Sequence, residues 1–182
     1  MRWIYIYKRF ERFWHWSQAL LVVLLVVTGL DIHFQQIELF GFEQAVMLHQ
    51  YCAWAFVVLI AFAAFWHLTT GEWRQYIPIR KYVGAMVRFY GIGIFRNEPH
   101  PVNKTELSKL NPLQRLVYLG LNVLVIPVLV TSGFLYYYYN EWSCVGLGAL
   151  PLEPVALVHT AAAYIVMAFM IVHFHYELCQ AF

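Results

Sequence analysis

The sequence predicts an all-α membrane protein, a four-transmembrane-helix bundle with both termini in the cytoplasm. Of its 182 residues, 62% are hydrophobic and only 12% are charged, whereas a soluble domain carries roughly 25% charged residues. Four apolar segments are each long enough to cross a hydrocarbon layer of ~30 Å, which takes about 20 residues. We therefore expect residues 1–182 to form a single integral membrane domain in contact with lipid, and no nucleic-acid partner.

Local signals set the limits of these segments. Gly71 closes the second span, and Asn111-Pro112 opens the third with proline in the first helical turn, where its missing N–H is tolerated. Pro127 lies inside the third span, where we expect a kink. The basic connection over 69–112 is predicted to lie partly on the membrane surface, although an irregular loop fits its glycines equally well. The predicted spans cover residues 13–32, 49–68, 113–134 and 154–176.

The charged residues predict the orientation of the chain. All 12 lysines and arginines lie in the N-terminal tail, in the 69–112 connection or at the start of the third span. Cytoplasmic loops are enriched in Lys and Arg, so we expect both termini and this connection in the cytoplasm. The two outer connections carry only acidic charges, at Asp31, Glu38, Glu43, Glu141 and Glu153.

Two histidines in the last span are the strongest chemical signal. His159 and His173 are fourteen residues apart in an apolar segment, which is just under four helical turns and a rise of roughly 21 Å. Both imidazoles therefore point to nearly the same side, one near each face of the membrane. Ionisable residues inside a membrane usually have a function, so we expect two metal centres stacked along this helix.

A partner ligand is available at the outer depth. His49 opens the second span at the same depth as His159, whereas His33, next to Asp31, is predicted to be solvated or to face a partner protein. Any one membrane histidine could equally be a hydrogen-bonded core residue. The equal membrane depth of His49 and His159 favours their acting as a pair of metal ligands.

At the inner depth the spacing leaves two choices open. Either His15 or His67 could join His173, because both lie near the cytoplasmic end of their spans. His175 is rotated by about 160° from the first ligand of its helix and is predicted to point away. His100 is interpreted as a loop residue between two prolines.

The donor types favour haem over zinc. Zinc sites gather three or four protein ligands, and no cysteine or aspartate accompanies the histidines at either depth. Cys52, Cys144 and Cys179 form no CxxC or CxxCH motif, which argues against a zinc ribbon and a covalent c-type haem. Two imidazoles saturate a haem iron, so such a centre transfers electrons rather than binding oxygen.

The order of these motifs resembles a known family. The pattern is similar to the four-helix dihaem cytochrome b subunits that anchor bacterial respiratory enzymes, namely the gamma subunits of formate dehydrogenases and the cytochrome b subunits of nickel-iron hydrogenases and thiosulfate reductases. The resemblance covers nearly the whole chain and implies a multi-pass protein of the bacterial cytoplasmic membrane. Its motifs here are Arg12-Phe13-Trp14-His15-Trp16, Thr28-Gly29, His49, Asn111-Pro112-Leu113-Gln114-Arg115, His159 and His173.

The resemblance implies cofactors as well as a fold. Carried over position by position, it implies two haem b groups, an inner one held by His15 and His173 and an outer one held by His49 and His159. It also implies a site for menaquinone or ubiquinone beside the inner haem.

The implied quinone site lies near Asn111 and Gln114. His67 would then be close to the same pocket, where it could hydrogen-bond a quinone carbonyl or relay protons. Other protonatable candidates for a cytoplasmic entry are Glu72, His175 and Glu177.

The resulting hypothesis is transmembrane electron transfer through two b haems, between a periplasmic iron–sulfur or multihaem subunit and the quinone pool. The chain would then be an electron-transfer subunit of a larger respiratory oxidoreductase, with no catalytic residue of its own. One alternative is a stand-alone quinol-linked cytochrome b. The others are a histidine-relay, proton-coupled transporter without haem, and a structural anchor that has lost its cofactors.

Overall fold

The computed structural model describes residues 8–34, 36–79, 82–96, 98–99, 101–102 and 109–181, with the side chains of 176–181 outside that description. Helix is the only regular structure among these residues. Four helical segments are long and apolar enough to cross a membrane. The all-α, four-transmembrane-helix class predicted from the sequence is therefore confirmed. The segments are Arg9–His33, Phe42–Thr70, Pro112–Tyr137 and Leu152–His175.

The chain forms two compact units, Met1–Leu116 and Val117–Phe182. In the first unit, helix α1 (Arg9–His33) packs against helix α2 (Phe42–Thr70). Aromatic rings contribute to this packing, since Phe10 lies 5.4 Å from Phe62 and 4.7 Å from Trp66 between ring centroids.

Helix α2 begins earlier than the hydropathy of the sequence predicts. It starts at Phe42 rather than His49, directly after Gly41, whose φ of 79° only glycine adopts readily. Glu43 lies in its first turn, where a negative charge suits the helix dipole. His49 is consequently in the second turn of a long helix. At the other end Gly71, with φ 74°, terminates the helix as predicted.

The connection after α2 contains short helices. Glu72–Tyr76 is a 3₁₀ turn, helix α3 spans Val83–Gly91, and Gly93–Arg96 is a second 3₁₀ turn. Met86 on α3 is fully buried, whereas the neighbouring Val87 is exposed. Helix α3 therefore packs through Met86, while Val87 stays exposed among the described residues.

The third membrane segment is a broken helix. It consists of helix α4 (Pro112–Gly120), a π-helical turn over Leu121–Val125 and helix α5 (Ile126–Tyr137). Pro127 has no N–H and its ring would collide with the carbonyl four residues earlier, in that turn. Widening to a π turn relieves this clash, so the predicted disturbance at Pro127 takes the form of a π turn just before it.

In the second unit, α5 packs against helix α6 (Leu152–Ala181). A 3₁₀ turn over Tyr139–Val145 joins them, and the indole N–H of Trp142 donates to the Leu135 carbonyl at 2.9 Å. This bond ties the connection to the end of α5. Large apolar side chains such as Leu157, Ile165 and Ile171 on α6 are exposed, as expected where lipid is the solvent.

Candidate metal centre

His49 on α2 is held by a side chain of α1. The hydroxyl oxygen of Thr28 lies 2.9 Å from His49 Nδ1, and Thr28 is fully buried. The same hydroxyl donates its proton to the Leu24 carbonyl, one turn earlier in its own helix, at 2.7 Å. A hydroxyl has only one proton to donate, so towards His49 it must accept. Nδ1 therefore carries the hydrogen, and Nε2 is the nitrogen with the lone pair.

His159 on α6 is held in the same way by α5. The hydroxyl oxygen of Ser132 lies 3.0 Å from His159 Nδ1, and it donates to the Val128 carbonyl at 2.6 Å. Because the serine proton is used within α5, Ser132 accepts from His159. This imidazole is therefore also an Nδ1–H tautomer.

A glycine follows each of these hydroxyl residues and lies against the ring. A Cβ built on Gly29 would lie 3.5 Å from His49 Cε1, and one built on Gly133 would lie 3.3 Å from His159 Cε1. Each imidazole thus packs directly on the backbone of the neighbouring helix. Thr28-Gly29 is one of the motifs of the family resemblance, but its contact with His49 was not predicted, and neither was that of Ser132-Gly133 with His159. The signal that could have revealed these contacts is the recurrence of a hydroxyl–glycine pair in each helix that precedes one of these two candidate ligands.

The predicted inner ligands have aromatic surroundings. His15 on α1 is exposed, and its ring lies 5.7 Å from that of Trp16. His173 on α6 is half-buried and stacks on Phe169, with ring centroids 5.5 Å apart and planes 14° apart. Tyr118 approaches the same imidazole edge-on at 6.4 Å. Aromatic stacking restricts the rotation of His173 in its own unit.

His67, the other inner candidate, uses both ring nitrogens within the first unit. Its Nδ1 lies 2.7 Å from the Ala63 carbonyl, which can only accept, so Nδ1 donates. Its Nε2 lies 3.3 Å from the hydroxyl of Tyr76, which therefore donates to it. Trp14 and Trp66 pack edge-on against the ring, each at 5.1 Å. Iron could bind this histidine only by displacing Tyr76.

Asn111 and Gln114 form a capping arrangement at the start of α4. The Asn111 side chain accepts from the backbone N–H of Gln114 at 2.8 Å, and the Gln114 side chain accepts from that of Asn111 at 3.0 Å. This is the reciprocal pattern of a capping box. The Asn111 amide also donates to the Tyr90 hydroxyl at 3.2 Å. Both side chains therefore have structural roles, and their contact with a quinone stays a prediction.

An ionic cluster lies beside this cap in the first unit. The ammonium of Lys109 pairs with Glu11 at 2.7 Å and with Glu72 at 3.1 Å, and Lys8 pairs with Glu72 at 2.7 Å. The side chains of Lys109, Glu11 and Glu72 are only 9%, 11% and 14% exposed. We call these four residues the first-unit ionic cluster.

The cluster shifts the pKa of two of its members. The hydrogen bond from Lys8, together with the charge of Lys109, lowers the pKa of Glu72, and partial burial opposes this only in part. Burial alone would lower the pKa of Lys109, but the carboxylates of Glu11 and Glu72 outweigh it and raise that pKa. Glu72, a predicted proton carrier, is thus held as a carboxylate.

The remaining predicted positions are less informative. His33 and His175 are exposed, and the side chain of Glu177, like all of His100, lies outside the described residues. Asp31 is buried, and its two carboxylate oxygens accept the backbone N–H groups of Leu39 and Phe40, each at 2.9 Å. Asp31 therefore fixes the loop between α1 and α2.

The donor set fits haem iron. Within the described part of the chain, no group of three or more His, Cys, Asp or Glu side chains gathers to hold a metal ion. His49 and His159 are instead separate imidazoles, each hydrogen-bonded at Nδ1 to a hydroxyl of the preceding helix. A metal-binding histidine commonly donates its other ring N–H to a neighbouring acceptor, as both do here.

Comparison with known proteins gives two matches. Residues 6–178 match the family described as prokaryotic cytochrome b561. The chain is also 35% identical, over 141 residues, to a protein of Escherichia coli K12 named "Putative cytochrome YdhU". That alignment covers 74% of this chain and 53% of the relative, so the chain spans about half the length of the curated relative that it matches.

Proposed function

The chain belongs to the prokaryotic cytochrome b561 family, and on that premise we propose that it joins a periplasmic redox subunit to the quinone pool through two b haems. The family and the four apolar helices make it a transmembrane haem b electron-transfer protein, multi-pass in the bacterial inner membrane and surrounded by lipid. The number of haems, the partner subunit and the quinone site belong to the proposal.

The observation that carries the proposal is the shared state of His49 and His159. Each comes from a different unit, and each is an Nδ1–H tautomer held by a hydroxyl of the preceding helix. We assign these two histidines to the outer haem. Iron with two imidazole ligands supplies one-electron transfer without an open site for oxygen.

We assign the inner haem to His15 and His173. The choice of His15 over His67 is supported by the contacts of His67, whose ring nitrogens already bond Ala63 and Tyr76. His173 is supported by the stacking of its ring on Phe169, which limits its rotation without using a ring nitrogen.

At the quinone end, this chain's own residues would hold and move protons. The Tyr76 hydroxyl donates to His67 Nε2, which makes the two a short proton path beside the ionic cluster. Asn111 and Gln114 shape the start of α4 through their mutual cap. His175 and Glu177, near the end of α6, are further candidates for proton entry.

Family membership also bears on the alternatives. A haem-free transporter is not favoured for a member of a cytochrome family. A stand-alone quinol-linked cytochrome b remains the alternative. Purification in mild detergent distinguishes this hypothesis from that of a subunit bound to a redox partner. Retention of a redox subunit supports the anchor, whereas quinol oxidation by the purified chain alone would favour the stand-alone protein.

Four alanine variants test the ligand assignment. We expect His49→Ala and His159→Ala each to abolish the same haem in reduced-minus-oxidised spectra, and His15→Ala to abolish the other. His67→Ala serves as the matched control, since it removes an imidazole from the same region and should leave both haems bound. Loss of a haem in the His67 variant, with retention in the His15 variant, would reverse the inner assignment.

A further inference from the structure

We propose that Thr28 and Ser132 are positioning residues that set the tautomer and orientation of His49 and His159 and so tune the binding and potential of the haem. This inference rests on the proposed function, because it assigns those histidines to iron. It adds two residues that the sequence pattern did not connect to the metal.

The first step is the direction of the hydrogen bonds. In each unit a backbone carbonyl accepts from the hydroxyl, at 2.7 Å for Thr28 and 2.6 Å for Ser132. The hydroxyl in turn accepts from the imidazole, at 2.9 Å for His49 and 3.0 Å for His159. While its proton is donated within its own helix, the hydroxyl oxygen accepts from the imidazole. The opposite imidazole tautomer would require the hydroxyl to give up its bond to the carbonyl and donate to Nδ1 instead.

The second step is the independence of the two occurrences. They lie in separate compact units, use threonine in one and serine in the other, and separate hydroxyl from histidine by 21 and 27 residues. In both, the same ring atom is bonded and a glycine follows the hydroxyl. A chance contact in one helix pair would not recur in the other with the same ring nitrogen bonded and a glycine again next to the hydroxyl residue.

The third step is the effect on the metal. An Nδ1–H donor increases electron donation from Nε2 and fixes the angle of the ring, and loss of such a partner typically costs about 10–100-fold in metal affinity. We therefore expect loss of either hydroxyl to speed haem release about tenfold, at the low end of that range because the acceptor is uncharged. The midpoint potential of that haem should rise, since a less basic imidazole stabilises ferric iron less.

The experiment compares isosteric with conservative variants. Thr28→Val and Ser132→Ala remove the acceptor, whereas Thr28→Ser and Ser132→Thr keep it. Thr131→Val is a matched control. The Thr131 hydroxyl likewise donates to a carbonyl one turn earlier, that of Pro127 at 2.7 Å. Thr131 directly precedes Ser132 on α5 but is exposed. The readouts are haem transfer to apomyoglobin, the low-spin ferric EPR spectrum and a redox titration.

We expect faster haem transfer, a shifted EPR signal and a raised potential for one haem in Thr28→Val and Ser132→Ala, with wild-type behaviour in the other three variants. If Thr28→Val does not fold, the single-oxygen change in Ser132→Ala decides the outcome. Wild-type rates, spectra and potentials in Ser132→Ala would overturn the inference while leaving the proposed function intact. Absence of haem from the wild-type chain would instead defeat the proposed function.

Discussion

The two units of the molecule resemble each other around one histidine and differ elsewhere. Each places an imidazole against a hydroxyl–glycine pair of the preceding helix. The first unit adds a largely buried ionic cluster of Lys8, Glu11, Glu72 and Lys109. The hydroxyl–glycine contact concerns the proposed metal ligands. The ionic cluster concerns stability and its dependence on pH. The comparison thus separates the residues that serve the cofactor from those that hold one unit together.

The largest effect should come from breaking the ionic cluster. Lys109→Met leaves Glu11 without its ammonium partner in a largely buried position, and breaking a buried pair typically costs about 3–5 kcal/mol. We expect about 3 kcal/mol, because Glu72 retains Lys8. Thermal and SDS-induced unfolding of the purified protein measure this loss.

The matched control for that change is Arg88→Gln. Arg88 pairs with Glu98 at 3.7 Å, and its side chain is 72% exposed, so its loss should cost under about 1 kcal/mol. Equal destabilisation by both variants would show that burial of the cluster contributes nothing.

The second effect is a pH dependence that arises from the first-unit ionic cluster. Because the folded pKa of Glu72 lies below its ordinary 4.5, its contribution is present above that pH and is lost as the pH falls through the folded pKa. The pKa of Lys109 is raised above 10.5, so its contribution is present below that pH and is lost as the pH rises through the folded pKa. The contribution of the cluster to the unfolding midpoint should therefore be level between these limits.

Glu72→Gln sharpens that measurement. It removes the titrating carboxylate, so the fall in stability on acidification should become shallower while the alkaline fall persists. An unchanged acid limb would mean that other carboxylates govern it.

A smaller effect should distinguish the two glycines. The Cβ of Gly133→Ala would lie 3.3 Å from His159 Cε1, whereas that of Gly29→Ala would lie 3.5 Å from His49 Cε1. The first distance forces the ring to shift by a few tenths of an ångström and the second is an ordinary contact. We expect measurably faster haem release from Gly133→Ala alone, and the reverse order would contradict the geometry.

The smallest effect should follow loss of the cap on α4. Asn111→Ala removes the acceptor for the Gln114 N–H, which typically costs about 1 kcal/mol. A change that leaves stability intact but slows quinone reduction would instead give Asn111 a direct part in the quinone site, which Gln114→Ala would test in turn.

The sequence predicted the four membrane segments because apolar length is a local property. The predicted span begins at His49, seven residues after the helix itself begins at Phe42, because the first turns of the helix carry little hydropathy. The sequence predicted the disturbance at Pro127 but not its π-helical form, which depends on how the freed carbonyls find partners.

The candidate site was predicted only in its histidines. The hydrogen-bond partners of those histidines could not be predicted. Thr28 lies 21 residues before His49, and Ser132 lies 27 residues before His159, so each contact depends on how two helices pack. Likewise, the spacing along α2 left His67 open as an inner ligand. Its contact with Tyr76 comes from a 3₁₀ turn whose position could not be predicted from the sequence.

The most direct test of the account is the number of haems in the purified wild-type chain, obtained from a pyridine haemochrome spectrum and the protein concentration. We expect two b haems per chain with two separable midpoint potentials, matching the two pairs of histidines. A stoichiometry of one, or a chain purified without haem from cells that supply it, would contradict the account.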